Sequence, residues 1–248
     1  MIILKYIRYF FAGVFIALTG PFIILYCCLR PGSPENLYPV SRFIGHGWRK
    51  IFGFKMIIKN QDNFEGLGNF IIISNHQSNI DIITCGLTVP KRTVAVGKKS
   101  LGWIPVFGQI FWLTGNILLD RSKKAAAKKF LIDTANTMVE KNVSLWIMPE
   151  GTRNHGGGLL PFKKGPFFTA IQAQVPIIPV SISSVEKHIN LNKWDAGTIM
   201  VQVLEPISTK GMSEKDVPHL AALCQHVIRE GIEKVNLDID EHLKNKES

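Results

Sequence analysis

Between Tyr9 and Leu29 the chain carries 21 consecutive residues without a charge, YFFAGVFIALTGPFIILYCCL. As one helix this run would reach roughly 31 Å, enough to cross the hydrocarbon core of a bilayer. Lys5 and Arg8 precede it and Arg30 follows. It does not read as a signal peptide: the apolar stretch is too long, and Arg30-Pro31-Gly32 offers no small-x-small cleavage site. Thr19-Gly20-Pro21 sits at its middle. Proline removes a ladder hydrogen bond and disfavours helix just before it. Each half, about ten residues, is too short to span alone. Two arrangements stay open, a single kinked transmembrane helix and a hairpin that dips into one leaflet and returns. Basic residues at both ends give the positive-inside rule no preferred crossing. A buried helix of a soluble protein is the plain alternative.

The rest of the chain has the makings of one folded domain. The full chain of 248 residues, 46% hydrophobic and 19% charged with a mean hydropathy of +0.14, is not a disordered one. With 4 Cys, 21 Gly and 13 Pro, collagen-like and disulfide-scaffold classes are excluded too. We therefore divide the chain into an anchor, residues 1–33, and a domain, residues 34–248. The cysteines, Cys27, Cys28, Cys85 and Cys224, show no metal-ligand spacing and fit free thiols in a reducing compartment. No metal ligand set is read from the sequence.

The formal charge of +10 is uneven. Nine basic residues and a single acid, Asp120, lie between Lys91 and Lys129, whereas nine acids face six bases from Glu205 onward. A basic block beside an apolar anchor suits anionic membrane lipids, a phosphorylated substrate or an acidic carrier. No nucleic-acid-binding pattern accompanies it, so nucleic acid is not the expected partner.

Pattern reading gives alternating strands and helices, hence an α/β sheet with helices on its faces. Residues 30–39 read as a linker. Residues 42–54 and 78–87 read as helices, the second with Ser78 as N-cap. Short strands are expected at 55–59, 69–74, 93–96, 116–119, 144–148, 177–183 and 198–204. Residues 122–142 are the strongest helix, rich in Ala and Lys. Apolar positions three or four apart from Val217 to Val235 mark an amphipathic helix over 213–235. The stretch GWIPVFGQIFWLTG between two strands is aromatic and glycine-rich, without a clear period. Two prolines in Val175-Pro176-Ile177-Ile178-Pro179-Val180 suggest an edge or irregular strand.

Three constellations stand where strands end, the favoured place for ligand sites in open α/β sheets. In Asn75-His76-Gln77-Ser78-Asn79-Ile80-Asp81, His76 and Asp81 are five apart. On one continuous helix they would point about 140° apart. With His76 in the turn and Asp81 in the first helical turn, the carboxylate can orient the imidazole as a general base. The bland reading makes Asp81 half of a capping box with Ser78. In Met148-Pro149-Glu150-Gly151-Thr152-Arg153, Gly151 permits a tight turn, Arg153 suits a phosphate and Glu150 a hydroxyl. A surface turn with a local ion pair is the bland reading there. Gly115 to Arg121 delivers a third cation, Arg121, and Lys98, Lys99, Lys163 and Lys164 add charge nearby. No P-loop and no G-x-S-x-G elbow occurs.

Order, spacing and context together resemble the glycerophospholipid acyltransferase family. Its motifs are a His-x4-Asp box, a glycine-to-arginine strand, an F-P-E-G-T-R box and a proline-flanked apolar strand, here spanning Asn75 to Val180 with Met148 in place of Phe. The run VGKKSLGWIPVFGQIFWLTGNILLDR is similar to bacterial members that make phosphatidate. The resemblance implies a mixed β-sheet flanked by helices, of the glycerol-3-phosphate acyltransferase kind. It implies acyl transfer from acyl-CoA or acyl carrier protein to the sn-2 hydroxyl of lysophosphatidate. His76 would be the base and Asp81 its orienter. Glu150, Gly151, Thr152 and Arg153 would hold the glycerol phosphate, with Arg121, Lys98 and Lys99 adding charge. No cofactor beyond the donor substrate is implied. The expected location is the inner membrane, with the catalytic domain on the cytoplasmic face. A different lysolipid or glycerol 3-phosphate as acceptor, a membrane-bound hydrolase, and an inactive lipid-binding protein are the competing functions.

Overall fold

A computed structural model describes residues 3–119 and 127–247. The apolar N-terminus is one uninterrupted helix, α1 (Ile3–Cys28), with Pro21 inside it. The hairpin is therefore not formed. The helix is 26 residues, about 39 Å long. It does not stand alone. Ala12, Ile23 and Cys27 are buried, and Ile23 and Cys27 pack on Val40, Ile110 and Leu113. Arg8 is buried as well, and its guanidinium donates to the carbonyls of Leu191 (3.2 Å) and Trp194 (2.7 Å). Charge within an apolar helix is thus satisfied by loop backbone. The opposite face leaves Ile3, Tyr6, Phe10, Phe11, Leu18, Phe22 and Leu25 exposed.

The segment expected as a linker is mostly structured. A short 3-10 turn (Pro34–Asn36) leads into α2 (Leu37–Phe52), which Gly53 ends in a left-handed C-cap at φ 68°. Then follow β1 (Phe54–Lys59), β2 (Ile71–Ser74), α3 (Asp81–Thr88), β3 (Thr93–Lys98), α4 (Phe107–Leu113) and β4 (Ile117–Leu119). The aromatic stretch without a clear period supplies α4. The remainder is α5 (Ala127–Glu140), β5 (Ser144–Ile147), α6 (Gly165–Ala173), β6 (Ile177–Ile182), α7 (Val185–His188), β7 (Gly197–Val203) and α8 (Val217–Glu247). The last helix runs a dozen residues beyond the expected end at Val235.

The seven strands form one mixed sheet in the order β1-β7-β6-β2-β5-β3-β4. The block β6-β2-β5-β3-β4 is parallel throughout. β7 pairs antiparallel with β6, and β1 is parallel to β7. Being covered on both faces, β2 and β6 read as unbroken apolar runs. Ile72, Ile178, Val180 and Ile182 pack under α2 and α3, beside Phe52, Ile83 and Leu87. Ile71, Ile73 and Ile177 face α5, α6 and α8 through Met138, Phe167, Leu220 and Ile228. Each such side chain taken fully from water contributes roughly 1.5–3 kcal/mol.

The proline-flanked strand is not at an edge. β6 lies inside the sheet, entirely buried, between β7 and β2. It accepts Pro179 because the β7 ladder only begins at Val180, opposite Val203. Below that point the pairing resumes as Ile177 opposite Ile207, one residue out of step. Pro179 still accepts a hydrogen bond from the Leu204 amide (2.9 Å). Its missing N–H falls in this bulge, so no ladder bond is lost.

Candidate active site

The parallel block sets the site. β2 and β5 are neighbours, so the turns leaving their C-terminal ends emerge side by side. β2 delivers His76 and β5 delivers Glu150 to Arg153. β3, next to β5, ends at Lys98 on the same edge.

His76 and Asp81 meet as the spacing allowed. His76 Nδ1 lies 2.7 Å from Asp81 Oδ2. The carboxylate is fully buried and the imidazole 16% exposed. α3 begins at Asp81 rather than near Ser78, and its N-cap position is Ile80. The Ser78 hydroxyl instead accepts from the Ile80 amide within the turn (3.1 Å). Asp81 Oδ2 also accepts from the backbone amides of Gln77 (2.6 Å) and Ser78 (2.9 Å). Turn-capping and histidine-orienting, alternatives in the sequence, are both performed by one oxygen. Three donors thus converge on this one oxygen at the N-terminus of α3. A carboxylate only accepts, so Nδ1 carries the proton in the neutral ring and Nε2 keeps a lone pair. Cys85, one helical turn after Asp81, is a neutral neighbour, because burial and the Asp81 charge push its thiol pKa up.

Glu150 has a role that sequence spacing did not reveal. It is buried, and its Oε1 accepts from the His76 amide (2.5 Å). Oε2 accepts from the Leu160 amide (2.9 Å), with Asn154 Nδ2 at 3.5 Å. Burial pushes this carboxyl above its usual pKa, against the pull of those donors. Both oxygens are thus engaged inside the protein, and Glu150 fastens one loop to the other. The fastening is reinforced where Asn154 and His155 amides donate to the carbonyls of His76 (2.9 Å) and Gln77 (3.2 Å).

Gly151 adopts φ 71°, which only glycine takes without strain. The Lys163 side chain lies over it, with Nζ 2.5 Å from where a Cβ would stand. Thr152 is exposed. Arg153 is half-buried, and its Nε is buried without a hydrogen-bond partner among the described residues. It forms no ion pair with Glu150. Lys98 and Lys99 are exposed at the end of β3. Arg121 lies outside the described residues, two positions beyond the end of β4.

Two further side chains shape the His76 turn. Asn75 forms a reciprocal pair with the Ile182 backbone, donating to its carbonyl and accepting from its amide, both at 2.9 Å. Gln77 donates to the Ile182 and Ser183 carbonyls (3.2 and 3.0 Å) and accepts from the Val185 amide (3.1 Å). Behind them, the Trp146 indole donates to the Ser74 hydroxyl (3.0 Å). His76 is therefore gripped by β6 on one side and by the Glu150 loop on the other. Two polar residues alternating around a histidine were the available signal, but their partners lie over 100 residues away.

Such a site combines a histidine held by a buried acid with Arg153, whose Nε has no hydrogen-bond partner among the described residues. The family model described as Acyltransferase matches residues 55–183, which enclose both loops. A 1-acyl-sn-glycerol-3-phosphate acyltransferase of Haemophilus influenzae is 40% identical over 236 residues, covering 95% of this chain and 98% of that protein. The enzyme of the same description from Escherichia coli is 40% identical over 217 residues, 88% of each chain. The crystal structure of the 1-acyl-sn-glycerophosphate (LPA) acyltransferase PlsC from Thermotoga maritima is similar with a TM-score of 0.74, at 26% identity and 94% coverage of both chains. Fold, loop geometry and relatives agree along nearly the whole length, and the chain belongs to the acyltransferase family.

Proposed function

We propose that the protein transfers an acyl chain from a thioester to the sn-2 hydroxyl of 1-acylglycerol 3-phosphate, forming phosphatidate. The single observation that carries this reading is the His76–Asp81 contact, which leaves Nε2 free of that pairing beside a loop whose Arg153 Nε has no partner among the described residues. His76 Nε2 takes the hydroxyl proton as the oxygen attacks the thioester carbonyl. Collapse of the tetrahedral intermediate breaks the carbon–sulfur bond. The imidazolium then returns its proton to the departing thiolate. Asp81 holds the ring and stabilises the imidazolium meanwhile. Arg153 and Lys163 are the groups we assign to the acceptor phosphate, the first by its unpartnered Nε and the second by its place over Gly151. Lys98 and Lys99, at the end of β3, fit a supporting electrostatic role along the same edge; for Arg121 that role rests on the sequence motif alone. Acyl-CoA and acyl carrier protein both fit as donor, since both are anionic.

The membrane is the surface on which we place the reaction. The apolar helix α1 has a mean hydropathy of 2.1 over its best window and only 22% of that window is buried. With Arg8 tied to loop carbonyls and Cys27 packed on α4, the helix is fixed along the domain at both ends. Its apolar outer face, with the exposed Trp103 and Trp112, suits lying in one leaflet. Anionic lipids fit the basic balance of the chain, and a cytoplasmic orientation would bring lipid acceptor and soluble donor to one interface.

The test is acyl transfer by protein in detergent, with oleoyl-CoA and 1-acylglycerol 3-phosphate. Wild type is expected to yield phosphatidate, and His76→Ala to lose at least ~100-fold in kcat with its thermal transition retained. Free fatty acid without phosphatidate would replace transfer by hydrolysis. Full activity in His76→Ala would remove the base.

A further inference from the structure

A second charged cavity opens at the opposite end of the sheet from His76. Its walls come from residues at the starts of the parallel strands, Phe70 before β2, Arg92 before β3 and Ser144 at β5. Because these strands are parallel, the catalytic loops leave from their other ends. The cavity measures about 440 Å³ and is open to solvent. That size accommodates a small ligand or the head of a larger one.

Its chemistry centres on Tyr38. Arg42, one helical turn on in α2, stands with its guanidinium carbon 5.0 Å from the Tyr38 ring centroid. Lys91 Nζ, from the α3–β3 connection, lies 5.9 Å from the same centroid. Neither cation has a carboxylate within ion-pair distance among the described residues. Arg42 Nε is buried there without a hydrogen-bond partner. The one acid among the lining residues is Glu65, which is exposed. Arg92 is different: it pairs with Glu35 (2.6 Å) and donates to the carbonyls of Lys141 and Asn142. It forms a fixed wall rather than a free charge.

Two like charges brought to one ring repel each other, and a desolvated guanidinium N–H costs free energy until an acceptor arrives. A single anion with several oxygens relieves both at once. It accepts from the planar Arg42 fork and from the Lys91 ammonium together. We propose that this cavity is a binding site for a phosphate group, separate from the acceptor site at Arg153. The group comes from a phosphate-bearing metabolite in solution or from the head of an anionic lipid, and the chemistry of the cavity is the same for both.

The experiment uses the full chain in detergent, in the Arg153→Ala background, so that phosphate held by the catalytic loops does not contribute. Glycerol 3-phosphate is titrated at constant ionic strength and the thermal midpoint is followed. A rising midpoint is expected. Lys91→Gln and Arg42→Gln, each added separately, are expected to weaken the apparent affinity about tenfold or more. Lys91 is an exposed loop residue, so its variant keeps the fold even where a change at Arg42 disturbs α2. No rise, or a rise unchanged by Lys91→Gln, would overturn the site. Short-chain phosphatidate run in parallel assigns the source: binding about tenfold tighter than glycerol 3-phosphate supports a lipid head, and equal binding supports a soluble phosphate. Phosphatidate synthesis by the wild type is measured separately, so failure of this site and failure of the acyltransferase reading are told apart.

Discussion

Single residues carry two kinds of work in the site, and substitutions separate them. Arg153 has a buried Nε without a hydrogen-bond partner among the described residues, and it is the group proposed for the acceptor phosphate. Arg153→Ala is expected to raise KM for the phosphorylated acceptor roughly 10- to 100-fold with a smaller change in kcat, as steady-state kinetics would show. Glu150 works the other way. In Glu150→Gln one amide oxygen still accepts, but the NH2 group then faces either the His76 or the Leu160 amide. An unsatisfied buried donor costs about 1–3 kcal/mol. The variant is expected to melt earlier and to lose kcat more than KM, because the His76 backbone loses its tether. The His76–Asp81 contact was legible because residue type and spacing allow it. Glu150 was legible as a motif member but not as a fastener. Its partners are backbone amides 74 and 10 positions away, and a sequence does not display those.

At the scale of elements, periodicity marked what packs on one side and misjudged what is covered all round. The first part of α8, to Val235, and the strand β2 were visible through spacing and isoleucine content. The aromatic segment gave no clear period, since α4 buries Ile110 and Leu113 against α1 while Trp112 faces outward. Pro21 did not break α1, because the helix is held by packing on α2 and α4 rather than by its ladder alone. The closest approach in that packing is at Gly20. A Cβ there would stand 2.2 Å from Val106 Cγ1 and 3.9 Å from Ile110 Cδ1. Gly20→Ala is expected to push α1 away from α4 and lower stability by about 1–3 kcal/mol, read from the thermal midpoint in detergent. Gly13, with open space around it, is the control that should change little.

Across the whole molecule, the alternation of strands and helices was enough for an α/β sheet, but strand order was not. Nothing local indicates that β7 turns antiparallel to β6 or that β1, early in the chain, closes the sheet beside β7. Those pairings are decided by which faces remain uncovered once the parallel block exists. Global stability should respond to acid through carboxylates outside the two catalytic loops. Asp240, on α8, is held below its usual pKa by hydrogen bonds to Lys187 (2.5 Å) and His188 (3.2 Å) of α7. Asp216 is lowered likewise by the Ser213 amide and hydroxyl. A lowered folded pKa contributes stability that is present above the ordinary carboxylate range and lost as pH falls through it. The raised Glu150 has the opposite sign, costing stability as pH rises past its ordinary value. Asp240→Asn is therefore expected to lower the thermal midpoint at neutral pH and leave it near wild type in acid, so that the acid limb of the profile becomes shallower.

The attachment of α1 along the domain also has a kinetic meaning. On the proposed membrane placement, a catalyst lying on its side against a leaflet loses two rotations and keeps only lateral drift and spin about the bilayer normal. Its acceptor then arrives by diffusion in two dimensions, and its product leaves the same way. Turnover at such a surface follows the mole fraction of acceptor among its neighbouring lipids, so diluting that lipid with an inert one slows the protein even when the bulk concentration is unchanged.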